Sequence, residues 1–343
     1  MRRRRSGRRA AVACLLSGAC GAIVISVSSL VEEARAGQAR AVARLISLVE
    51  DDSPDLREVS AALSPLTGRA RVLGLTGPPG VGKSTTTSML VSSFRAGGLR
   101  VGVLAIDPSS PFSGGALLGD RIRMHSHTVD AGVFIRSMAT RGALGGLATA
   151  TPQAVRVLDA AGFDVVLVET VGVGQSEVDI VGLADTTVVL LAPGMGDGVQ
   201  AAKAGILEVA DIFVVNKADR DGADQTVRDL RYMLSLGERR DRDGSRWRTP
   251  IVRTVASKGE GIDEVVEAVD RHREWMARTG ERDRRRQARA EAEIEAITLE
   301  RVRARIGDIR GAGTLPELAK RVVAGETDPF TAAEELMETV SSG

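Results

Sequence analysis

Cysteine is almost missing from this chain of 343 residues: Cys14 and Cys20 are the only two, and both precede the segment that reads as the folded core. Neither a disulfide framework nor a cysteine-based metal site can therefore organise the fold. Histidine is as scarce. His125, His127 and His272 make no cluster, and although His125-x-His127 has the spacing to put two imidazoles on one face of a strand, a polar surface pair is the expected reading. An excess of one charge is absent too. Against 46 Lys and Arg stand 45 Asp and Glu, a formal charge of +1, so no global field draws the molecule to nucleic acid or anionic lipid. What is present, 43% hydrophobic residues, is enough for a full core in one large domain or in a medium one with extensions.

The densest pattern is Gly77-Pro78-Pro79-Gly80-Val81-Gly82-Lys83-Ser84, which fills every position of the phosphate-binding loop G-x-x-x-x-G-K-[ST]. The run before it, Val72 to Thr76, predicts a short buried strand, and Thr85 to Phe94 predicts a helix ended by Gly97-Gly98. In that setting the glycines let successive backbone N–H groups turn onto phosphates, and Lys83 reaches the terminal ones. The Ser84 hydroxyl can hold Mg²⁺ at the positive end of the helix, and Thr85 follows it in the nucleotide-binding stretch.

Further along, each apolar run ends in a residue suited to such a site. Val101 to Ile106 predicts a strand that delivers Asp107 at its carboxyl end, where ligands of open α/β sheets bind. Pro111 to Met124 is rich in Gly and Ser and predicts a mobile loop. Thr128 to Arg136 predicts a strand, and Pro152 to Ala161 a helix. The apolar run from Phe163 carries Glu169 and Gly172 at its end. In a phosphate-loop enzyme a carboxylate there helps hold Mg²⁺ and its waters, and a glycine three residues on offers its N–H to the γ-phosphate. Thr187 to Ala192 and Ile212 to Val215 predict two more strands, the second leading into Asn216-Lys217-Ala218-Asp219, an N-K-x-D string. The Asp219 carboxylate can accept from both the ring N–H and the 2-amino group of guanine, whereas adenine would leave it unpaired, a loss of about 2 to 5 kcal/mol when buried. GTP is therefore the expected nucleotide. Ile251 to Val255 predicts the last strand, and Val255-Ala256-Ser257 stands where backbone capping the guanine oxygen would lie, ahead of a helix over 262–276.

The ends are less informative. Six arginines within Arg2 to Arg9 precede an uncharged run from Ala10 to Val31, the pattern of an export signal, a transit peptide or an anchor. Because a nucleotide site needs cytosolic or matrix nucleotide, the preferred expectation is a cytoplasmic protein whose translation starts downstream, at the codon for Val27 or Val31. Residues 1–29 are set apart on that basis. Residues 30–70 predict short helices broken at Gly37 and Pro54, residues 71–280 the nucleotide domain, and 281–343 a helical extension. Within that extension, Arg282 to Arg289 holds five arginines and continues with Glu and Arg at helical spacing. A solvated helix is the expected reading, since no aromatic residues accompany the arginines to suggest nucleic acid. Leu315 to Met337 predicts two short amphipathic helices broken at Thr327-Asp328-Pro329, which together with it suit a dimer interface.

With Gly77 to Ser84, Glu169-x-x-Gly172 and Asn216 to Asp219 in place, the chain resembles the metallochaperone-like phosphate-loop GTPases of the SIMIBI class, which carry glutamate where most GTPases have aspartate. Fuller strings are Asp107-Pro108-Ser109-Ser110, Gly114 through Arg121, and Glu169 through Glu177. They resemble the branch of methylmalonyl-CoA mutase-associated GTPases, also known as ArgK or LAO/AO transport system kinases, from about Leu30 to the end. The resemblance implies an α/β P-loop NTPase fold, with a mainly parallel sheet flanked by helices and helical extensions at both ends. It implies a GTP-hydrolysing chaperone that gates cofactor loading and protection of an adenosylcobalamin-dependent acyl-CoA mutase, active with GTP/GDP and Mg²⁺; from the residues themselves, a homodimer working without nucleic acid or membrane is expected. It further implies Mg²⁺ contacts from Ser84, Asp107, Asp120 and Glu169, with Lys83 and Glu169 as the catalytic pair. Switch loops are implied near 108–123, 170–178 and 193–203, the last closed by Lys203. Gln175 and Glu177 are the candidates for orienting the attacking water. Val255 departs from the serine usual in the base-capping loop. Three rivals remain: a nickel-insertion GTPase, disfavoured for want of a His or Cys cluster, a kinase linked to periplasmic amino-acid transport, and a GTP-dependent scaffold.

Overall fold

A computed structural model of the chain describes residues 26–51, 53–107, 127, 129–139, 150–170, 180, 182–194, 209–237, 246–311 and 314–341. Seven strands form one sheet: β1 (Arg71–Thr76), β2 (Val101–Asp107), β3 (Val133–Ala139), β4 (Val165–Glu169), β5 (Thr186–Leu191), β6 (Ile212–Asn216) and β7 (Ile251–Thr254), in the order 3-2-4-1-5-6-7. Every pairing between them is parallel. This is the α/β fold that the strand–loop–helix reading implies. The central strands are near-continuous apolar runs because helices cover both faces, so alternate residues have no watery side to prefer.

Along β4 the alternation sorts the core. Val166 and Val168 face a layer made by α1 (Val27–Arg35), α2 (Ala39–Glu50), α3 (Leu56–Leu63) and α5 (Ala150–Ala160), whereas Val165 and Leu167 face α4 (Lys83–Ala96) and α7 (Ile262–Thr279). A third cluster packs Val189, Leu191, Phe213 and Val215 under Val227 and Leu230 of α6 (Ala223–Gly237). Leu45 and Ile46 of α2 are wholly buried, about 1.5–3 kcal/mol each relative to exposure, so the N-terminal helices are part of the core rather than an appendage. Helix α1 starts at Val27, inside the stretch set apart as a leader. Val27, Leu30, Val31 and Ala34 recur at helical spacing and are all buried, so part of that uncharged run is apolar because it packs. Cys14, Cys20 and the rest of residues 1–25 lie outside the described residues. No helix among the described residues is long and apolar enough to cross a membrane.

One boundary and one helix's role differ from expectation here for visible reasons. Strand β3 begins at Val133 rather than near Thr128, because Asp130 first builds a turn: its Oδ1 accepts from Gly132 N at 2.8 Å and its carbonyl from Val133 N at 3.0 Å. The C-terminal α8 (Glu281–Gly311) is not merely a solvated helix. Arg285 makes a two-pronged contact with Asp211, at 2.9 Å to each oxygen, while Arg286 and Arg289 hold Asp185 at 3.3 and 3.0 Å. Asp185 and Asp211 each sit just ahead of a strand, β5 and β6, with their own carboxylates on the backbone N–H groups of Val72 and Thr187. The arginine face thus fastens α8 to the amino ends of the sheet. Helices α9 (Thr314–Val323) and α10 (Pro329–Ser341) follow, with Asp328 capping the second through the N–H groups of Phe330 and Thr331.

Candidate functional site

The order 3-2-4-1-5-6-7 places β1 between β4 and β5, so the loop after β1 leaves from the middle of the sheet, where ligands of such folds bind. Register puts Leu75, Glu169 and Ala105 at one level, with Gly77 and Asp107 just beyond. Asp107 ends β2, on the same edge of the sheet. Thr170 ties the strand ends together, donating from its hydroxyl to Thr76 Oγ1 at 3.0 Å and from its N–H to Leu75 O.

Two glycines of the loop have no substitute. Gly77 has φ +134°, and a Cβ there would lie 2.2 Å from Leu190 O. Gly82 has φ +100°, and a Cβ would lie 2.3 Å from Asn216 Nδ2. Both need the left-handed region and both touch a neighbouring strand end, so a side chain would break the loop on two counts. Gly82 directly precedes α4, which begins at Lys83, two residues earlier than read from sequence, and turns its first N–H groups toward the loop. Pro78, Pro79, Gly80 and Val81 complete the turn. The Lys83 ammonium donates to Gly77 O at 2.7 Å and Pro78 O at 3.1 Å, which curls it over the cradle.

Beside it, the buried Glu169 carboxylate accepts from Ser84 Oγ at 2.7 Å on one oxygen and from Thr87 Oγ1 at 2.8 Å on the other. Sequence reading missed Thr87. Its position was legible only as the residue three beyond Ser84, hence on the same helix face. The donor set, a hydroxyl and a carboxylate in contact at a helix N-terminus, is hard oxygen throughout and fits Mg²⁺. Asp120 and Gly172 lie outside the described residues, as do Gln175, Glu177, Lys203 and nearly all of the three switch stretches. His127 is described, and its Nε2 lies 3.0 Å from Ser88 Oγ; His125 is not.

A cavity of about 220 Å³ opens at the ends of β6 and β7, lined by Gly82, Thr85, Asn216, Lys217, Asp219, Arg220, Val255 and Ser257. Asn216 braces it. The amide nitrogen donates to Val81 O at 2.8 Å, and the amide oxygen accepts from Thr254 Oγ1 at 3.1 Å and Ala256 N at 3.0 Å, joining the phosphate loop to the loop after β7. Lys217, at φ 57°, lays its ammonium on Gly80 O at 2.7 Å. Asp219 pairs with Lys258 at 3.4 Å, both half-exposed at the cavity rim. Of the three residues 255–257, Val255 N and Ala256 N are engaged by Glu260 O and Asn216, which leaves Ser257 N, in the first turn of a 3-10 helix over Ala256–Lys258, as a backbone donor beside the cavity. Arg220 and Lys258 were not found from sequence, since neither belongs to a motif.

The model of the family described as methylmalonyl Co-A mutase-associated GTPase MeaB matches residues 42–309. The chain belongs to the MeaB family. A protein of Pyrococcus abyssi named as a GTPase is 50% identical over 92% of this chain and 98% of its own length. The mouse mitochondrial methylmalonic aciduria type A homolog is 34% identical over 89% of this chain and 77% of its own. A crystal structure named as an LAO/AO transport system kinase superposes with a TM-score of 0.67 at 26% identity, covering 92% of this chain and 97% of the other. The MeaB-family chain is accordingly a P-loop GTPase of the MeaB/ArgK type.

Proposed function

We propose that the chain binds GTP with Mg²⁺, hydrolyses it to GDP and phosphate, and through the nucleotide state gates cofactor loading and protection of an adenosylcobalamin-dependent acyl-CoA mutase. One observation carries the nucleotide half: Asn216 couples the phosphate loop to the base-side cavity, so both ends of one guanine nucleotide meet a single braced unit. Asp219 would take the guanine ring N–H and 2-amino group, displacing Lys258, and Ser257 N–H would cap the ring oxygen. Lys83 would turn from the loop carbonyls to the terminal phosphates. Ser84 would hold Mg²⁺ with Glu169 acting through its waters and Asp107 and Asp120 nearby, and the ion supplies neutralisation of charge on the phosphate oxygens. Attack of water on the γ-phosphorus breaks its bond to the β-phosphate oxygen, and the Lys83 ammonium and loop N–H groups stabilise the charge that gathers there. A low intrinsic rate follows if Gln175 or Glu177 is ordered on the water only by a partner.

The partner half rests on the family description and on the mouse relative, whose name refers to methylmalonic aciduria. The exposed Ile294, Ile297 and Leu299 of α8 support the C-terminal extension as a homodimer surface, and a cytoplasmic or matrix location suits the nucleotide. The test is GTP turnover by the purified protein with and without the mutase, and capture of the mutase by protein held in GTP-analogue and GDP states. Slow turnover, acceleration by mutase and loss of turnover in Lys83→Ala are expected. ATP turnover equal to GTP turnover would refute the base assignment. Equal capture in both nucleotide states would refute the gating.

A further inference from the structure

The chain has only two tryptophans, and both line one open pocket of about 540 Å³ at the far end of the sheet from the nucleotide cleft. Pro250, just ahead of β7, lines the pocket, while the base-side cavity lies beyond the other end of that strand. Trp247 and Trp275 stand 5.7 Å apart between ring centres, and the buried His272 lies 4.8 Å from the first and 5.5 Å from the second, nearly parallel to Trp275. Trp247 is fixed in place by its indole N–H, which donates to Asp211 O at 2.7 Å. The aromatic floor is therefore built before any ligand arrives, which spares a ligand the ordering of that side chain.

The rim is cationic. Arg248 lines it beside Trp247, and Arg271, Glu274, Trp275 and Arg278 recur at i, i+3, i+4 and i+7 on one face of α7. Among the described residues Arg248, Arg271 and Arg278 have no carboxylate within ion-pair distance, although the molecule as a whole pairs arginines freely, with α8 alone fixing three of them on Asp185 and Asp211. Among the described lining residues Glu274 is the one acid and is outnumbered. A rigid aromatic surface rimmed by unpaired guanidinium groups matches a ligand with a planar ring at one end and phosphate at the other, because tryptophan stacks on the ring and arginine clasps phosphate in two-pronged fashion.

We propose that this pocket is a second anion site, separate from the GTPase centre, that takes a nucleotide-type ligand by stacking its ring on the tryptophan floor and its phosphates on Arg248, Arg271 and Arg278. The two tryptophans make the site self-reporting. With the guanine site saturated by GDP, ATP added to the full-length protein should change tryptophan emission saturably, with adenosine and inorganic tripolyphosphate each binding more weakly. The double variant Arg271→Glu/Arg278→Glu, changed only at exposed positions, should weaken the ATP response at least about tenfold while leaving GDP affinity as it was. No emission change with ATP, or a response untouched in the double variant, would overturn the proposal. So would tripolyphosphate or an acidic peptide binding as tightly as ATP, since the site would then recognise charge or a protein surface without a ring.

Discussion

Replacing Thr87 by valine removes one hydroxyl from a wholly buried position and alters almost nothing in volume, which isolates its bond to Glu169. The Thr87 hydroxyl has one proton and two acceptors, Glu169 Oε2 at 2.8 Å and Lys83 O at 3.0 Å, and the carboxylate is the stronger acceptor. Hydrogen bonds to charged groups contribute about 1.5–3 kcal/mol, so Thr87→Val should destabilise the protein by about 2 kcal/mol. The functional effect is more telling than the stability. With Thr87 gone, Glu169 keeps Ser84 as a partner on one oxygen and loses its second fixed hydroxyl, so its aim at the metal waters loosens. Outer-shell losses of this kind typically lower metal affinity or activity by about 10- to 100-fold. The assay is steady-state GTP turnover against Mg²⁺ concentration, alongside GDP affinity. Turnover should fall and half-saturation by Mg²⁺ rise, while GDP affinity measured without Mg²⁺ stays near that of the parent because the base-side cavity is untouched. Thr87→Ser, which restores the hydroxyl, should recover most of the turnover. A Thr87→Val protein with unchanged kcat and Mg²⁺ dependence would show that Thr87 does not position Glu169.

Other expectations follow from the same contacts. Asp219→Ala should weaken GTP binding by about 30-fold or more and narrow the preference for GTP over ATP, by loss of two hydrogen bonds to a carboxylate; competition binding with both nucleotides checks it, and an undiminished preference would refute the role given to Asp219. Arg285→Met removes one partner of a part-buried ion pair and should cost about 2–4 kcal/mol in denaturant unfolding, somewhat below the loss for a fully buried pair. Burial pushes the Asp211 carboxyl up, but the His272 ring 3.3 Å away and the two-pronged bond from Arg285 outweigh it and hold it below the ordinary carboxylate range. A carboxylate lowered in the folded state stabilises above its unfolded value, about 3.9, and loses that contribution as pH falls through the lower folded one. The gap between parent and Arg285→Met should therefore be full at pH 7 and close below about pH 4. A gap independent of pH would mean that packing of the arginine stem, not its charge, holds α8.

The parts of the site legible in the sequence are those that chemistry compels to be contiguous. The phosphate cradle proposed for Gly77 to Ser84 needs consecutive N–H groups, so it is one string, and the base-reading carboxylate proposed for Asp219 needs a rigid strand end, so Asn216 to Asp219 is another. Fold class followed, because buried parallel strands announce themselves as unbroken apolar runs. What was illegible depends on register between distant segments. Thr87 meets Glu169 across 82 residues and Arg285 meets Asp211 across 74, and nothing in either local window distinguishes these side chains from ordinary helix residues. The arginine run of α8 shows the difficulty most clearly. Its spacing is equally consistent with a solvated helix and with a clamp; the deciding fact is the complementary pair Asp185 and Asp211, each a lone acid at the mouth of an apolar strand. An acid in that position must be either exposed or paired, since an unpaired buried carboxylate is strongly unfavourable. Two such acids on adjacent strands imply that a cation-bearing element crosses the bottom of the sheet. The inference runs from the strands to the helix, the reverse of the direction in which the arginines themselves invite it.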